Sequence, residues 1–382
     1  MTIFTSQILR AAIRRTGSFL FVVALIFPAL CLAQRKRPVE VQIQKCWEHR
    51  YEGTGDSMLA ADNTSIFMVR DGSVIEAVSA ESGKLVWSSD VGGSVDSNLL
   101  VAAGNVFLVR RPVAGGTDKA ETAVVRALST TTGITKWSAS FAGGDGSTLG
   151  TIGDAVIAIS QNGIMQSFAL TNGATRWKRQ LPVEVGIAPI FSGGKVYLVG
   201  DGTLINSVEG TGGEPAPVAK APFAVSTIAD PQENTLVWGD ERGNLTSYNL
   251  IAGRIEWQFK SGARISRIIR LAGLLVAASN DNFVYAIAPG SGNRVWKKRV
   301  LGRIQSIQAV NENSLLIQTV GEHNVLFLNV KSGKTEGQIV FKDDEFPVAS
   351  TVTDDSKSAI LTDRALYLYA HGGCSPKKES GP

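Results

Sequence analysis

A glycine followed four residues later by a tryptophan recurs along this chain at nearly constant intervals. The copies run from Gly83 to Trp87, Gly133 to Trp137, Gly173 to Trp177, Gly253 to Trp257 and Gly292 to Trp296. Two weaker copies keep the glycine and lose the tryptophan, Gly213 with Pro217 and Gly333 with Gly337, and Trp47 adds an eighth mark at the front. The marks at 47, 87, 137, 177, 217, 257, 296 and 337 are spaced by 40, 50, 40, 40, 40, 39 and 41 residues. A fixed period of this length means one supersecondary unit repeated, each copy burying its apolar face against the next. That constraint overrides the usual expectation that 382 residues form two or three domains.

Ahead of each mark lie two short runs of β-type residues joined by a turn signal. Ser65 to Arg70, Asp71-Gly72 and Ser73 to Ala80 is one such hairpin, and Lys195 to Gly200, Asp201-Gly202 and Thr203 to Val208 is another. A preceding run and the strand that carries the tryptophan bring each unit to four strands. Four-stranded twisted sheets repeated radially are propeller blades, so the expected fold is all-β: an eight-bladed β-propeller of four-stranded antiparallel blades. The glycine suits a turn that needs positive φ. The ring of each tryptophan is expected to bury against the neighbouring blade, a packing role and not a ligand role.

The units are shifted against the chain ends. The chain enters the repeat with a tryptophan-type strand, Lys45 to Tyr51, and leaves it with a hairpin ending at Ala370, so the last blade lacks an outer strand of its own. The Trp47 strand is expected to complete that blade and close the ring, leaving no unpaired edge between first and last blades. By the same alignment Cys374 takes the register of Gly292 and Cys46 that of Val295, three positions apart across one tight turn. A disulfide between Cys46 and Cys374 is therefore expected; it would close a loop of more than 300 residues and stabilise by roughly 4 to 5 kcal/mol on chain-entropy grounds. Two free thiols are the alternative. The propeller is expected over 45–371, with an extension at 34–44 and a tail at 372–382.

Residues 1–33 read as a secretory signal peptide. Arg10, Arg14 and Arg15 precede an acid-free apolar run from Gly17 to Leu32, and small residues stand at the last and third-last positions, placing cleavage between Ala33 and Gln34. A run of about 16 residues containing Pro28 is short for a membrane span, which usually needs roughly 20, so no transmembrane segment is expected in the mature chain. The bulky Leu30 before Cys31 argues against a lipid anchor at that cysteine, and Thr16-Gly17-Ser18 after Arg14-Arg15 is a poor twin-arginine signal. Losing the leader takes Lys plus Arg from 38 to 35, against 34 Asp plus Glu. A nearly neutral protein offers no basic footprint for nucleic acid.

The chain has three histidines, His49, His323 and His371, with no His-x-x-x-His or Cys-x-x-Cys spacing to suggest a metal site. Asp343-Asp344-Glu345 and Asp354-Asp355 lack the alternating ligands of a calcium loop and read as solvated loop charge. No Gly-x-Ser-x-Gly or phosphate loop occurs in a strand-turn-helix setting, so the chain is not expected to be an enzyme. One irregularity stands out: ten extra residues in the second unit, within Arg110-Arg111-Pro112 to Glu121. This is expected to be a surface loop that either carries binding, with Arg110 and Arg111 as candidates, or is a tolerated length variation.

The Gly-x-x-x-Trp blade ending, with hairpins such as Asn282 to Ile287 before it, resembles the pyrroloquinoline-quinone (PQQ) type propeller repeat over Cys46 to Ala370. That resemblance is specific for fold and much less so for function. Quinoprotein dehydrogenases of this type hold quinone and calcium on the axis, and many carry an adjacent Cys-Cys pair, which this chain lacks; neither PQQ nor calcium is expected. In size and layout the chain more closely resembles the outer-membrane assembly factor BamB family. The resemblance implies a monomeric periplasmic scaffold with protein partners in the cell envelope, in outer-membrane protein assembly. That family contacts its partner through Leu-x-Leu-Arg leading into Ala-Pro, and through Asp-x-Asp in the next blade. The matching stretch here, Val183-Glu184-Val185-Gly186-Ile187-Ala188-Pro189, keeps the apolar alternation at Val183 and Val185 and has Gly186 in place of the arginine. The next unit, Val218 to Asp230, has no Asp-x-Asp. A quinone-dependent dehydrogenase and an extracellular sensor or polysaccharide-binding propeller are the alternatives.

Overall fold

A computed structural model describes residues 42–112, 123–144, 146–181, 184–342 and 344–374. The segment expected to be a signal peptide, with Cys31, Ala33 and Gln34, most of the second-unit insertion, Val183 and Asp343 lie outside the described residues. Within them the chain forms 33 strands arranged in eight antiparallel sheets. Seven blades follow in chain order, spanning 55–90, 94–140, 148–180, 190–220, 225–260, 265–299 and 303–340. The eighth pairs Pro347–Val352, Ser358–Thr362 and Ala365–His371 with Ile43–Arg50, the first strand of the chain. The expected eight-bladed propeller, closed by the Trp47 strand, is thus what the chain forms.

The residue pattern explains the layering. Second strands sit between neighbouring blades and are apolar on both faces: Ile66, Phe67, Met68 and Val69 are all fully buried. Fourth strands line the outer wall and alternate, as in Leu85–Asp90, where Leu85 and Val86 are exposed and Trp87 is buried. The hairpins turn where the sequence marks them, with Asp71 at φ 51° and Gly72 at φ 71°, and Asp201 at φ 50° and Gly202 at φ 71°. Positive φ at both central positions is the type I′ geometry, whose twist matches that of the flanking strands. In blade 2 the inner strand is in two pieces, Ser94–Val95 and Leu100–Ala102.

Six of the eight tryptophan marks make the same joint across a blade boundary. The indole Nε1 of Trp47, Trp87, Trp137, Trp177, Trp257 and Trp296 donates to the carbonyl of Ala80, Thr130, Leu170, Gly210, Pro289 and Val330 respectively, at 2.6 to 3.2 Å. Each ring lies flat against a glycine of the next blade, Gly83, Gly133, Gly173, Gly212, Gly292 and Gly333. A Cβ at any of these would come within 2.4 to 2.7 Å of the ring. The glycine is therefore required twice over, by positive φ and by the ring of the preceding blade. Here the reading of Gly213 is corrected: the left-handed residue under Trp177 is Gly212, at φ 96°, because the turn in blade 4 closes one residue earlier.

A bulge aims these rings. In seven blades the outer strand skips one residue of register directly before the tryptophan position, at Cys46, Val86, Lys136, Arg176, Glu256, Val295 and Glu336; in blade 4 it skips Val218 instead. A bulge bends the strand and re-aims the following side chain. Cys46, at the bulge of blade 8, bonds Cys374 with a Cα–Cα separation of 5.2 Å across 328 residues of chain.

Candidate interaction surface

The two rims of the ring differ. One carries the glycine-tryptophan turns; the other carries the turns between second and third strands and the connections from one blade to the next. The second rim gathers both stretches that the sequence singles out. The insertion of blade 2 leaves from Arg111, at the end of Asn105–Arg111, and returns at Val124; the 184–189 stretch connects blade 3 to blade 4.

The singled-out side chains are placed unequally. Arg110 donates from Nε and a terminal nitrogen to the Gly92 carbonyl, and Arg126 donates to the Val91 carbonyl, so both brace the connection between blades 1 and 2. Arg111 lies 3.7 Å from the Asp96 carboxylate. Val185 turns inward, packing with Leu181, Leu198 and Val208, while its N–H donates to Gln161. The exposed members of that stretch are Glu184, Gly186 and Ala188. A Cβ on Gly186 would meet nothing within 4 Å.

Gly186 opens onto a cavity of about 360 Å³ at the axial mouth of this rim, where the inner strands of blades 5, 6 and 7 begin. Its wall carries Arg264, Arg267 and Arg303 with Asn280, Gln305 and Val320. Arg264 pairs with Glu241, Nε to Oε1 at 3.2 Å. Arg267 and Arg303 are exposed and make no ion pair with any described residue. Asp281, beside the cavity, is already engaged: it accepts from the N–H of Gly262 and of Phe283 and from the Tyr285 hydroxyl at 2.6 Å. Burial, aided by that carboxylate, pushes the Tyr285 hydroxyl up to about 12. Gln305 is likewise held, donating to the Val348 carbonyl and accepting from Gln318. Val320, among the lining residues, is exposed, and exposed Leu301 and Phe223 stand on the connections leading into the inner strands of blades 7 and 5, Phe223 under the Arg242 guanidinium at 5.4 Å.

Sequence reasoning did not single out the three arginines. Arg264 and Arg267 bracket the start of the inner strand of blade 6, Ile265–Leu271, and Arg303 opens that of blade 7, Arg303–Asn311, a juxtaposition visible only when those starts are overlaid; the other six inner strands begin with Gly55, Ser94, Thr148, Ile190, Val225 and Pro347. Glu345 also departs from its reading as solvated charge. It is buried, accepting from the Thr362 and Tyr367 hydroxyls, because its loop folds under the rim of blade 8. Asp344 is exposed and pairs with Arg364. Among the described residues no group of three or more His, Cys, Asp or Glu is placed to hold a metal ion, and no helix is long and apolar enough to cross a membrane.

A closed ring of eight four-stranded blades, jointed by tryptophan on glycine, is a PQQ-type repeat propeller. The sequence pattern of the family described as outer membrane protein assembly factor BamB matches residues 42–169 and 121–335, and the chain belongs to that family. It is 23% identical to outer membrane protein assembly factor BamB of Yersinia pestis over 334 residues, covering 81% of this chain and 83% of that protein. It is 23% identical over 339 residues to the protein of the same name in Moranella endobia (strain PCIT), covering 77% and 82%. Among solved structures the fold is similar to BamB from Moraxella catarrhalis, with a TM-score of 0.65 at 15% identity, covering 86% of this chain and 99% of that one. It is equally similar to the computationally designed Ika8 protein, with a TM-score of 0.69 at 14% identity, covering 86% and 100%.

Proposed function

We propose that this chain is a non-catalytic protein-interaction scaffold of the cell envelope that takes part in assembling outer-membrane proteins, docking partners on its arginine-bearing rim. The observation that carries this reading is the convergence on one rim of the 184–189 stretch, the base of the blade-2 insertion and the open axial mouth, in a chain of the BamB family. Connections displayed at one end of a rigid propeller are where binding is expected, since the blades fix the loops and the loops are free to vary. Exposed apolar side chains beside arginines supply the composition that protein interfaces favour. The reading needs neither quinone nor calcium, and takes the exported protein to act in the periplasm as a monomer.

Affinity capture from envelope extracts with the tagged full-length protein tests it. Recovery of outer-membrane assembly components, lost when Gly186 and Ala188 are both replaced by Asp, is the expected result. Capture that returns no such component overturns the assembly role.

A further inference from the structure

The axial mouth has a charge imbalance that the fold does not use. Three guanidiniums line one cavity of about 360 Å³, and no carboxylate is among its lining residues. Of the nearby acids, Glu241 is committed to Arg264 and Asp281 to Gly262, Phe283 and Tyr285. Glu322 lies at the edge of the mouth against Gly302 and forms no ion pair with either remaining arginine. Arg267 and Arg303 therefore face solvent as two cations held near each other by inner strands of adjacent blades. Arginine in such a position is suited to carboxylate, which it takes in paired, charge-assisted hydrogen bonds.

The surroundings favour a chain over a small anion. The cavity is open, its lining includes Val320, 55% exposed, and the connections that lead into the inner strands of blades 5 and 7 expose Phe223, 42%, and Leu301, 72%. On another side the backbone at Gly186 has clear space where a side chain would stand. An anion alone would leave these apolar side chains in water, whereas a segment alternating acidic and apolar residues would cover them. We propose that the mouth binds an extended acidic segment of a partner protein, its carboxylates taken by Arg267 and Arg303 and its apolar side chains laid on these exposed apolar ones. This names the partner chemistry of the scaffold proposed above and rests on that reading of the rim.

The test uses the full-length mature protein and a fluorescein-labelled peptide alternating Glu and Leu, with its Gln-for-Glu counterpart as control, read by fluorescence anisotropy. Arg267→Gln and Arg303→Gln are each expected to weaken binding of the acidic peptide about tenfold, as loss of a charged hydrogen bond does. Glu322→Gln and Gly186→Arg are expected to tighten it. Arg267→Lys and Arg303→Lys keep part of the affinity, and Arg294→Gln, on the outer wall, changes nothing. Both glutamine variants replace exposed side chains, and unchanged thermal melts confirm that the ring is intact. Equal binding of the Gln peptide, or unchanged binding by both glutamine variants, overturns the proposal. So does inorganic phosphate binding as tightly with the same arginine dependence, which makes the mouth a small-anion site. Retention on phosphatidylglycerol vesicles with that dependence, and none of the peptide, overturns it in favour of a lipid surface. The two readings of the rim fail separately. Capture of assembly components unaffected by the arginine variants removes the acidic segment and leaves the scaffold; arginine-dependent peptide binding without such capture removes the assembly role and leaves the site.

Discussion

Six of the eight blade junctions are built alike and two are not, and the two exceptions show what the joint does. At the six, an indole spans the boundary, with its ring on a glycine and its N–H on a carbonyl of the next blade. Between blades 4 and 5 Pro217 stands where the tryptophan would be, and Gly253 has only the Tyr248 hydroxyl near it, at 3.8 Å. There the neighbouring blade supplies the bulk from inside: Trp238, on its second strand, is fully buried with Tyr197, Val199 and Ala219 of blade 4 and tilts against Tyr248. Between blades 7 and 8 Gly337 leaves Phe327 uncovered across the strand pair, and His371 of blade 8 turns its imidazole edge onto that ring at 4.7 Å. The same blade holds the Cys46–Cys374 bond. A large ring at the boundary is thus the constant, and its source is not.

This comparison can be broken by mutation. The largest effect is expected inside blade 8, where the disulfide ties the outer strand to the exit of the third. Replacing Cys46 and Cys374 together by Ser should lower the unfolding free energy by roughly 3 to 5 kcal/mol, seen as a lower urea midpoint. A midpoint unchanged by the double replacement would show that strand pairing alone closes the ring. Next, Trp137→Ala should cost about 3 to 5 kcal/mol, since it empties a buried space and leaves the Leu170 carbonyl without its donor. The glycines sharpen the contrast. Gly133→Ala, at φ 68° with the Trp87 ring 2.5 Å from the new methyl, should cost about 2 to 4 kcal/mol. Gly253→Ala, at φ 63° with no ring above it, should cost only about 1 kcal/mol. Equal losses at the two sites would mean that the ring contact contributes nothing beyond the backbone.

The smallest effect is a pH dependence at the blade 7–8 junction. Burial holds the His371 imidazole below the ordinary value of 6.5, against the opposing pull of Glu336, and neither ring nitrogen has a hydrogen-bond partner among the described residues. The unfolded chain then binds more protons than the folded one just below that value. His371 therefore costs no stability above about pH 6.5, and stability falls as the pH drops from there toward the lower folded value. His371→Leu should flatten this part of the stability curve between pH 7.5 and 5; a slope that persists unchanged places the titration elsewhere.

The ring was legible because its determinants are local and repeated. Gly83, Trp87 and their copies announce the turn and the joint, and the misplaced blade boundary, with Trp47 at one end and Ala370 at the other, announces the closure. Cys46 and Cys374 follow from register alone. What the repeat hides are the departures from it. Trp238 and His371 stand off the forty-residue marks, and each matters only because a partner is missing in the next blade. The bulge at Cys46 and its counterparts leaves no mark in residue type, being filled by Val, Lys, Arg, Glu or Cys. Arg264, Arg267 and Arg303 were not legible for a related reason: they form a site by circling an axis, and position around a circle is not a sequence pattern. Val185 shows the converse, since an apolar residue within a partner-contacting pattern is as readily claimed by the core.

The closing strand also sets where load enters the ring. Gln42 and Gly372 meet where the chain enters and leaves, joined by the Gly372 N–H to the Gln42 carbonyl at 3.1 Å, with Cys46 and Cys374 bonded beside them. This point is on the glycine-tryptophan rim, opposite Arg267 and Arg303. Tension applied through residues 42 or 374 is therefore borne by one edge of one blade, on the rim away from Arg267 and Arg303.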